Sequence, residues 1–428
     1  MTTPLRLGIA GLGTVGAGVV KIVQTHADLL ARRGGRPVVI SAVSARTRDK
    51  DRGVDLSSYD WEDDPVVLAR RDDVDVFLEL MGGPDGPAKA ATEAALAAGK
   101  DVVTANKAML ALHGQALAEA AEAAGRVIRF EAAVAGGIPV VKALTEGLAG
   151  NQISRVMGVM NGTCNYILTR MESAGLPYQT VFDEANALGY LEADPTLDVG
   201  GIDAGHKLAL LAAIAFGTKV DFDAIEIEGI ERISIDDIRH AADMGFRIKL
   251  LGVAQMTGRG LEQRMSPCLV PASSPLGTLE NATNMVVLEG DAVGQIVLRG
   301  AGAGEGPTAS AVMSDVMDIA RGIRVATFGQ PATGLQDARP ARATAAAPYY
   351  LRIALEDKPG ALAKIATALG EAGISIDRMR QYQHAETTAP VLIVTHKTTR
   401  DALDHARAGF AKTGVMVGEP VAIRIEKL

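Results

Sequence analysis

Leu5-Arg6-Leu7-Gly8-Ile9-Ala10-Gly11-Leu12-Gly13-Thr14-Val15-Gly16 decides the fold of this chain. The first six residues read as a buried strand, and Val19, Val20, Ile22 and Val23 mark a helix just beyond. Between them stands GxGxxG. Gly11 permits a tight turn, Gly13 lets the backbone approach a pyrophosphate, and Gly16 lets helix and strand pack closely. The helix N-terminus adds amide donors and the positive end of a dipole. A glycine loop serving structure alone is the blander alternative, but strand, motif, helix and N-terminal position all agree. The spacing predicts a Rossmann dinucleotide-binding domain, with Gly11, Gly13, Thr14, Val15 and Gly16 lining the cofactor.

Outward from this motif the pattern continues as α/β. The second strand is Val38 to Val43. An NAD-specific fold usually ends it with Asp or Glu on the ribose 2′-hydroxyl. This chain has Ser44-Ala45-Arg46-Thr47-Arg48 instead. A guanidinium at Arg46 suits a 2′-phosphate and favours NADP(H) over NAD; the alternative is a solvated loop charge. Val74 to Leu80 and Asp101 to Ala105 are further strands. Asn106-Lys107 falls at the carboxyl end of the latter, where open α/β sheets bind ligands. Arg126 to Glu131 is another strand. It leaves through Ala132-Ala133-Val134-Ala135-Gly136-Gly137-Ile138-Pro139. By spacing this is an ordinary glycine-rich crossover, yet its carbonyls and the Glu131 carboxylate are hard oxygen ligands of the kind a cation takes.

A second focus is Gly189-Tyr190-Leu191-Glu192-Ala193-Asp194-Pro195-Thr196-Leu197-Asp198-Val199-Gly200-Gly201-Ile202-Asp203-Ala204-Gly205-His206-Lys207. It crowds four carboxylates and a lysine ahead of an apolar helix carrying Leu208, Leu211 and Ile214. Asp203 and Lys207 are i, i+4 neighbours on one face. An exposed pair of this kind contributes about 0.3–0.5 kcal/mol. The position of this one, opening an apolar helix under a carboxylate-rich loop, points instead to a functional site. Upstream, Ile153 to Val159 is a strand leading to Met160-Asn161-Gly162-Thr163-Cys164-Asn165-Tyr166 and a helix; Cys164 reads as a small packing residue. Short apolar stretches between Ala224 and Leu298 predict a sheet with helices on one face. Gly300 to Thr308 is a second glycine-rich loop opening a helix, placed to return over the cofactor.

Gln330 to Ala347 is rich in Pro and Ala and reads as a linker. Beyond it, Tyr349 to Ile425 spells βαββαβ, a regulatory or dimerising unit. The expected division is residues 1–134, a Rossmann domain; 135–329, an α/β (α+β) catalytic domain with 300–325 returning toward the cofactor; 330–347, the linker; and 348–428, the βαββαβ domain. The 428 residues carry a net charge of −8 and no basic cluster, against nucleic acid. No apolar run reaches the ~18 residues of a membrane helix. Two distant cysteines and seven histidines without HxxxH spacing give no zinc motif and fit a cytoplasmic protein.

Taken together, Gly11 to Gly16, Ala105-Asn106-Lys107, Asn161 to Tyr166 and above all Gly189 to Lys207 resemble homoserine dehydrogenase over essentially the whole chain. Asp357-Lys358-Pro359-Gly360-Ala361-Leu362 resembles the start of an ACT domain. Two positions depart: the family often has threonine at Cys164 and a small residue at Leu191. The resemblance implies NAD(P)H-linked interconversion of L-aspartate 4-semialdehyde and L-homoserine, on the route to threonine, methionine and isoleucine. It implies that Glu192 and Asp203 bind substrate, that Lys207 moves the proton, and that Lys107 lies near cofactor and substrate. It also implies that Gly189 and Gly304 line the cofactor, and that Glu131, Val134, Gly136 and Ile138 hold sodium. L-Threonine is the implied effector, and a homodimer or homotetramer the implied assembly. A dehydrogenase of another amino-acid aldehyde and a non-catalytic nucleotide and amino-acid sensor are the alternatives. A chain cut after about Ala347 is expected to keep activity and lose the threonine response.

Overall fold

The computed structural model describes residues 2–191, 194–341, 345–381 and 388–427. The N-terminal part holds β1 (Leu5–Ala10), α1 (Thr14–Thr25), α2 (Ala27–Gly34), β2 (Val38–Ser44), β3 (Asp60–Trp61), α3 (Pro65–Arg70), β4 (Val76–Glu79), α4 (Pro87–Ala97), β5 (Asp101–Thr104), α5 (Lys107–Ala123) and β6 (Ile128–Arg129). These six strands are parallel, in the order β3-β2-β1-β4-β5-β6. The order reverses at β1, which opens a ligand crevice beyond the carboxyl ends of β1 and β4. Leu7, Ile9, Val43, Val76, Leu78 and Val103 are fully buried on one face of this sheet. The last strand is shorter than its sequence pattern. Arg129 is drawn into a buried ion cluster with Glu146 and Asp318, at 2.7 and 2.8 Å, and Glu131 starts a 3-10 turn.

The middle part comprises α6 (Val140–Lys142), β7 (Ile153–Val159), α7 (Gly162–Ala174), α8 (Tyr178–Ala187), α9 (Pro195–Val199), α10 (Ile202–Phe216), β8 (Glu226–Ile227), α11 (Ile235–Asp243), β9 (Phe246–Thr257), β10 (Gly260–Pro271), β11 (Thr283–Gly290), β12 (Gly294–Ala301) and α12 (Glu305–Ala320). Helix α12 crosses back to the first sheet. Ala309, Val312 and Val316 join the core of β1 and α1, and Lys21 meets Glu305 at 2.6 Å. The cleft between the two sheets thus takes Gly304, the N-cap of this helix, and Thr308 into its lining.

The C-terminal part is β13 (Tyr349–Glu356), α13 (Ala361–Glu371), β14 (Ile376–Gln381), β15 (Thr388–Thr395), α14 (Arg400–Lys412) and β16 (Val421–Ile425), which is βαββαβ. It is not a detached module. Strand β16 runs parallel to β10, with Cys268 opposite Arg424, so one ten-stranded sheet passes through both parts in the order β12-β11-β7-β9-β10-β16-β13-β15-β14, with β8 also on β10. The stretch before it is also packed down. Leu261 N–H donates to Arg339 O, Ala341 N–H to Leu261 O, and Gln336 N–H to Gly217 O.

A buried charge network closes the seam. The Glu426 carboxylate accepts from Arg264, Arg155 and Arg424, and Arg264 also donates to Glu262 at 3.1 Å. Burial alone would raise the Glu426 pKa; the three guanidinium groups overcome it and hold the group ionised. Arg352 of β13 adds a bidentate pair with Asp237 of α11. A chain cut after Ala347 would therefore expose the edge of β10 and leave Arg264 facing a missing carboxylate, so truncation does not isolate regulation. Removing one partner of such a network is expected to cost about 3–5 kcal/mol. Glu426→Gln keeps the shape and drops the charge, and it should lower the urea midpoint accordingly. An unchanged midpoint would show that the seam does not depend on these charges.

Candidate active site

Each glycine of the opening loop meets a separate requirement. Gly11 has φ 101°, and a Cβ there would lie 2.3 Å from Leu80 O. A Cβ on Gly16 would lie 2.0 Å from Gly11 O. Gly13, the N-cap of α1, faces open space, as a backbone that receives a ligand must. Val15 lines the cleft beyond it, and Thr14 is the first residue of α1. These residues fit a dinucleotide pyrophosphate. Arg46 lies exposed just past β2. The loop that carries it is shaped by Arg52, whose guanidinium donates to Leu12 O at 3.1 Å and to the carbonyls of Thr47, Arg48 and Lys50.

The carboxyl ends of β4 and β5 are fixed by buried Glu79. It accepts from Met81 N–H, Gly82 N–H and the Thr104 hydroxyl at 2.9, 3.1 and 2.6 Å. Asn106 then caps α5 through Met109 N–H and donates to Gly83 O. Lys107 is the first residue of that helix. A cation at a helix N-terminus opposes the macrodipole, so the fold places it there at a cost.

Asp203 compensates for it. The carboxylate sits in the first turn of α10, with Oδ1 3.0 Å from Lys107 Nζ and Oδ2 2.7 Å from Lys207 Nζ. Lys207 also donates to Met160 O at 2.9 Å. Burial pushes the Asp203 pKa up, but the two ammonium groups dominate and hold it well below the usual carboxylate range. The pair read from i, i+4 spacing is thus buried, and its third member comes from the other domain. Asn161, the N-cap of α7, donates to Asp198 at 2.9 Å and to Asp203 at 3.4 Å. Cys164 is fully buried and donates to Asp198 O; burial raises its thiol pKa, in keeping with a packing role. Gly189 (φ 75°) and Gly304 (φ 114°, the N-cap of α12) line the same cleft, whose volume is about 490 Å³. Glu192 lies outside the described residues.

Glu131, Val134, Gly136 and Ile138 share one tight turn, in which Ala135 and Gly136 have φ 54° and 53°. Glu131 is committed elsewhere. Its carboxylate caps α6 through Val141 N–H and Lys142 N–H at 2.9 and 2.8 Å, and burial, with Asp315 nearby, pushes its pKa up to about 7. Ile138 O accepts from Val140 N–H. Among the described residues no cluster of three His, Cys, Asp or Glu side chains could hold a metal ion. The sodium expectation therefore reduces to backbone carbonyls of this turn. Asp198 stands among the crowded carboxylates and Asn161 within the strand-to-helix turn, but neither has a role assigned from sequence; Glu79 and Arg52 are not singled out there. Asn161 has a local signature, an asparagine just ahead of a helix; Glu79 and Arg52 act across distances in sequence that leave no pattern.

Known proteins bear on this arrangement. Residues 11–131 match the model of the homoserine dehydrogenase NAD-binding domain, 139–317 that of homoserine dehydrogenase, and 349–408 that of the ACT domain. Homoserine dehydrogenase of Neisseria gonorrhoeae is 42% identical over 433 residues, covering 99% of each chain. That of Bacillus subtilis is 39% identical over 406 residues, covering 92% of each. A crystal structure of the Thiobacillus denitrificans enzyme superimposes with a TM-score of 0.94 at 38% identity, covering 99% of each chain. A hyperthermophilic archaeal homoserine dehydrogenase mutant in complex with NADPH matches at TM-score 0.63 and 25% identity, covering 74% of this chain and 97% of that one. With a nucleotide-binding loop, a lysine–aspartate–lysine cleft and these relatives in agreement, the chain belongs to the homoserine dehydrogenase family.

Proposed function

We propose that Lys207 delivers the proton when this enzyme reduces L-aspartate 4-semialdehyde to L-homoserine. The observation that carries this assignment is the Lys107–Asp203–Lys207 array. Bound nicotinamide supplies the hydride. As the aldehyde accepts it, negative charge develops on oxygen, and an ammonium beside that oxygen stabilises the charge and can release a proton to it. Two of the three N–H groups of Lys207 are used by Asp203 and Met160 O, which leaves one for the substrate. Lys107 adds positive charge from the cofactor side and acts as a second electrostatic support. Asp203 stays ionised at any working pH and holds both lysines. Glu192 pairs with the substrate ammonium, an assignment that rests on resemblance.

NADPH is the preferred coenzyme in this reading. Its support is the exposed guanidinium of Arg46 just past β2, the strand end at which such folds read the ribose, and an archaeal relative in complex with NADPH. Sodium enters only as a carbonyl-held brace of the Glu131–Ile138 turn. The ACT domain is the seat of L-threonine inhibition, and its sheet, fused to the catalytic sheet, gives the signal a rigid path. The assembly is a homodimer or homotetramer in the cytoplasm. Its support is the family, the buried free cysteines and the lack of any helix, among the described residues, long and apolar enough to cross a membrane.

One assay addresses most of this: NADPH oxidation with L-aspartate 4-semialdehyde, for wild type and Lys207→Ala, with and without L-threonine, in sodium and in potassium buffer. The mutant should lose at least ~100-fold in rate, threonine should inhibit wild type, and potassium should slow it. Near-normal turnover by the mutant would remove Lys207 from the mechanism. No wild-type turnover would favour another amino-acid aldehyde or a sensor. Separately, Arg46→Ala should weaken NADPH by ~10-fold or more, as loss of a charge-assisted hydrogen bond does, and leave NADH nearly unchanged. Equal losses would dismiss the 2′-phosphate contact.

A further inference from the structure

Asn284 is the one described residue of the cleft wall with a buried polar atom that has no hydrogen-bond partner. It is only 1% exposed, and its Oδ1 is buried in the cleft lining without a donor. Such groups in native proteins are rare and call for an explanation. The residue is second in β11, paired with Gly300 of β12. Register with β7 pairs Met285 with Val159, which brings Asn284 level with Met160, the residue whose carbonyl holds Lys207.

Its neighbours are fitted around the amide. A Cβ on Gly302 would fall 2.0 Å from Asn284 Nδ2, so glycine is required there for the amide to lie flat against the backbone. Gly302 in turn rests on Gly136, where a Cβ would come within 2.5 Å of the Gly302 carbonyl group. The amide thus forms the wall between the Gly136 turn and the Gly304 cap of α12. Val15, Ala105 and Lys107 of the nucleotide domain line the same cleft.

The chemistry of an amide selects its partner. It offers an acceptor and an NH2 group side by side. A substrate ammonium would satisfy the oxygen alone. A carboxylate would satisfy the NH2 group alone and repel the oxygen. Another carboxamide satisfies both edges at once, whichever way the asparagine is turned. Nicotinamide carries one. We propose that Asn284 pairs with the carboxamide of bound nicotinamide and so fixes the rotation of the ring beside Lys207. This rests on the coenzyme occupying the cleft as described above.

The test is calorimetric titration of the full chain with NADP+ and with its 3-acetylpyridine analogue, which keeps the carbonyl but has methyl in place of NH2. Wild type should bind the analogue ~10-fold more weakly, the size of one lost hydrogen bond at a buried site. Asn284→Leu and the smaller Asn284→Ser should bind both with similar, reduced affinity, so that the ratio approaches one. Equal binding of the two coenzymes by wild type overturns the proposal without any variant. So do variants that weaken both coenzymes but keep the wild-type ratio, because Asn284 would then only support Gly302. If wild type binds neither coenzyme, the assignment of the cleft to nicotinamide falls, and the proposal with it.

Discussion

One carboxylate shared by two lysines organises this molecule. Asp203 belongs to the catalytic domain and Lys107 to the nucleotide domain, so their contact at 3.0 Å joins the two units across the cleft. Removing it would leave two ammonium groups close together at the edge of the core, each disfavoured by the other and by desolvation. The three charges also define the polarity of the cleft. It sets two ammonium groups against one carboxylate, a net positive array, and negative charge developing on an oxygen is what such an array stabilises without reorganising.

The surrounding elements exist to hold that contact in place. Glu79 and Asn106 fix the start of α5, Asn161 links α7 to Asp198 and Asp203, and α12 returns the chain to the core of the first sheet. Each of these side chains is buried or capping, so the geometry is set by packed secondary structure and not by loops. Small residues let the backbones approach: Gly136 against Gly302, Gly18 against Ala309 and Glu305.

Much of this was legible in the sequence, for identifiable reasons. The GxGxxG loop, the Asn106-Lys107 step and the Asp203/Lys207 spacing are local, and their chemistry is carried by residue type. The burial of Asp203 was not visible, since i, i+4 spacing is equally compatible with a solvated pair, and Lys107 lies almost a hundred positions upstream. The sequence shows only part of what Glu131 does. Beside a glycine-rich turn it reads as a cation ligand; its capping of the short helix Val140–Lys142 with both oxygens depends on the fold. The packing of the linker was not visible either. Pro and Ala composition without periodicity signals the absence of helix and strand, but says nothing about packing, and residues 336–341 hydrogen-bond to the catalytic domain.

The parallel pairing of β16 with β10 also bears on how the chain folds. Arg264 and Glu426 are 162 residues apart, yet they meet in the interior. During synthesis β10 emerges with its edge open and Arg264 partnered by Glu262 of its own strand alone, and it waits while an entire βαββαβ unit is made. Contacts of such long sequence separation form late and slowly. The intermediate with β10 uncovered is where an exposed strand edge would invite wrong pairing. Maturation of the catalytic sheet is in this sense timed by the ACT domain.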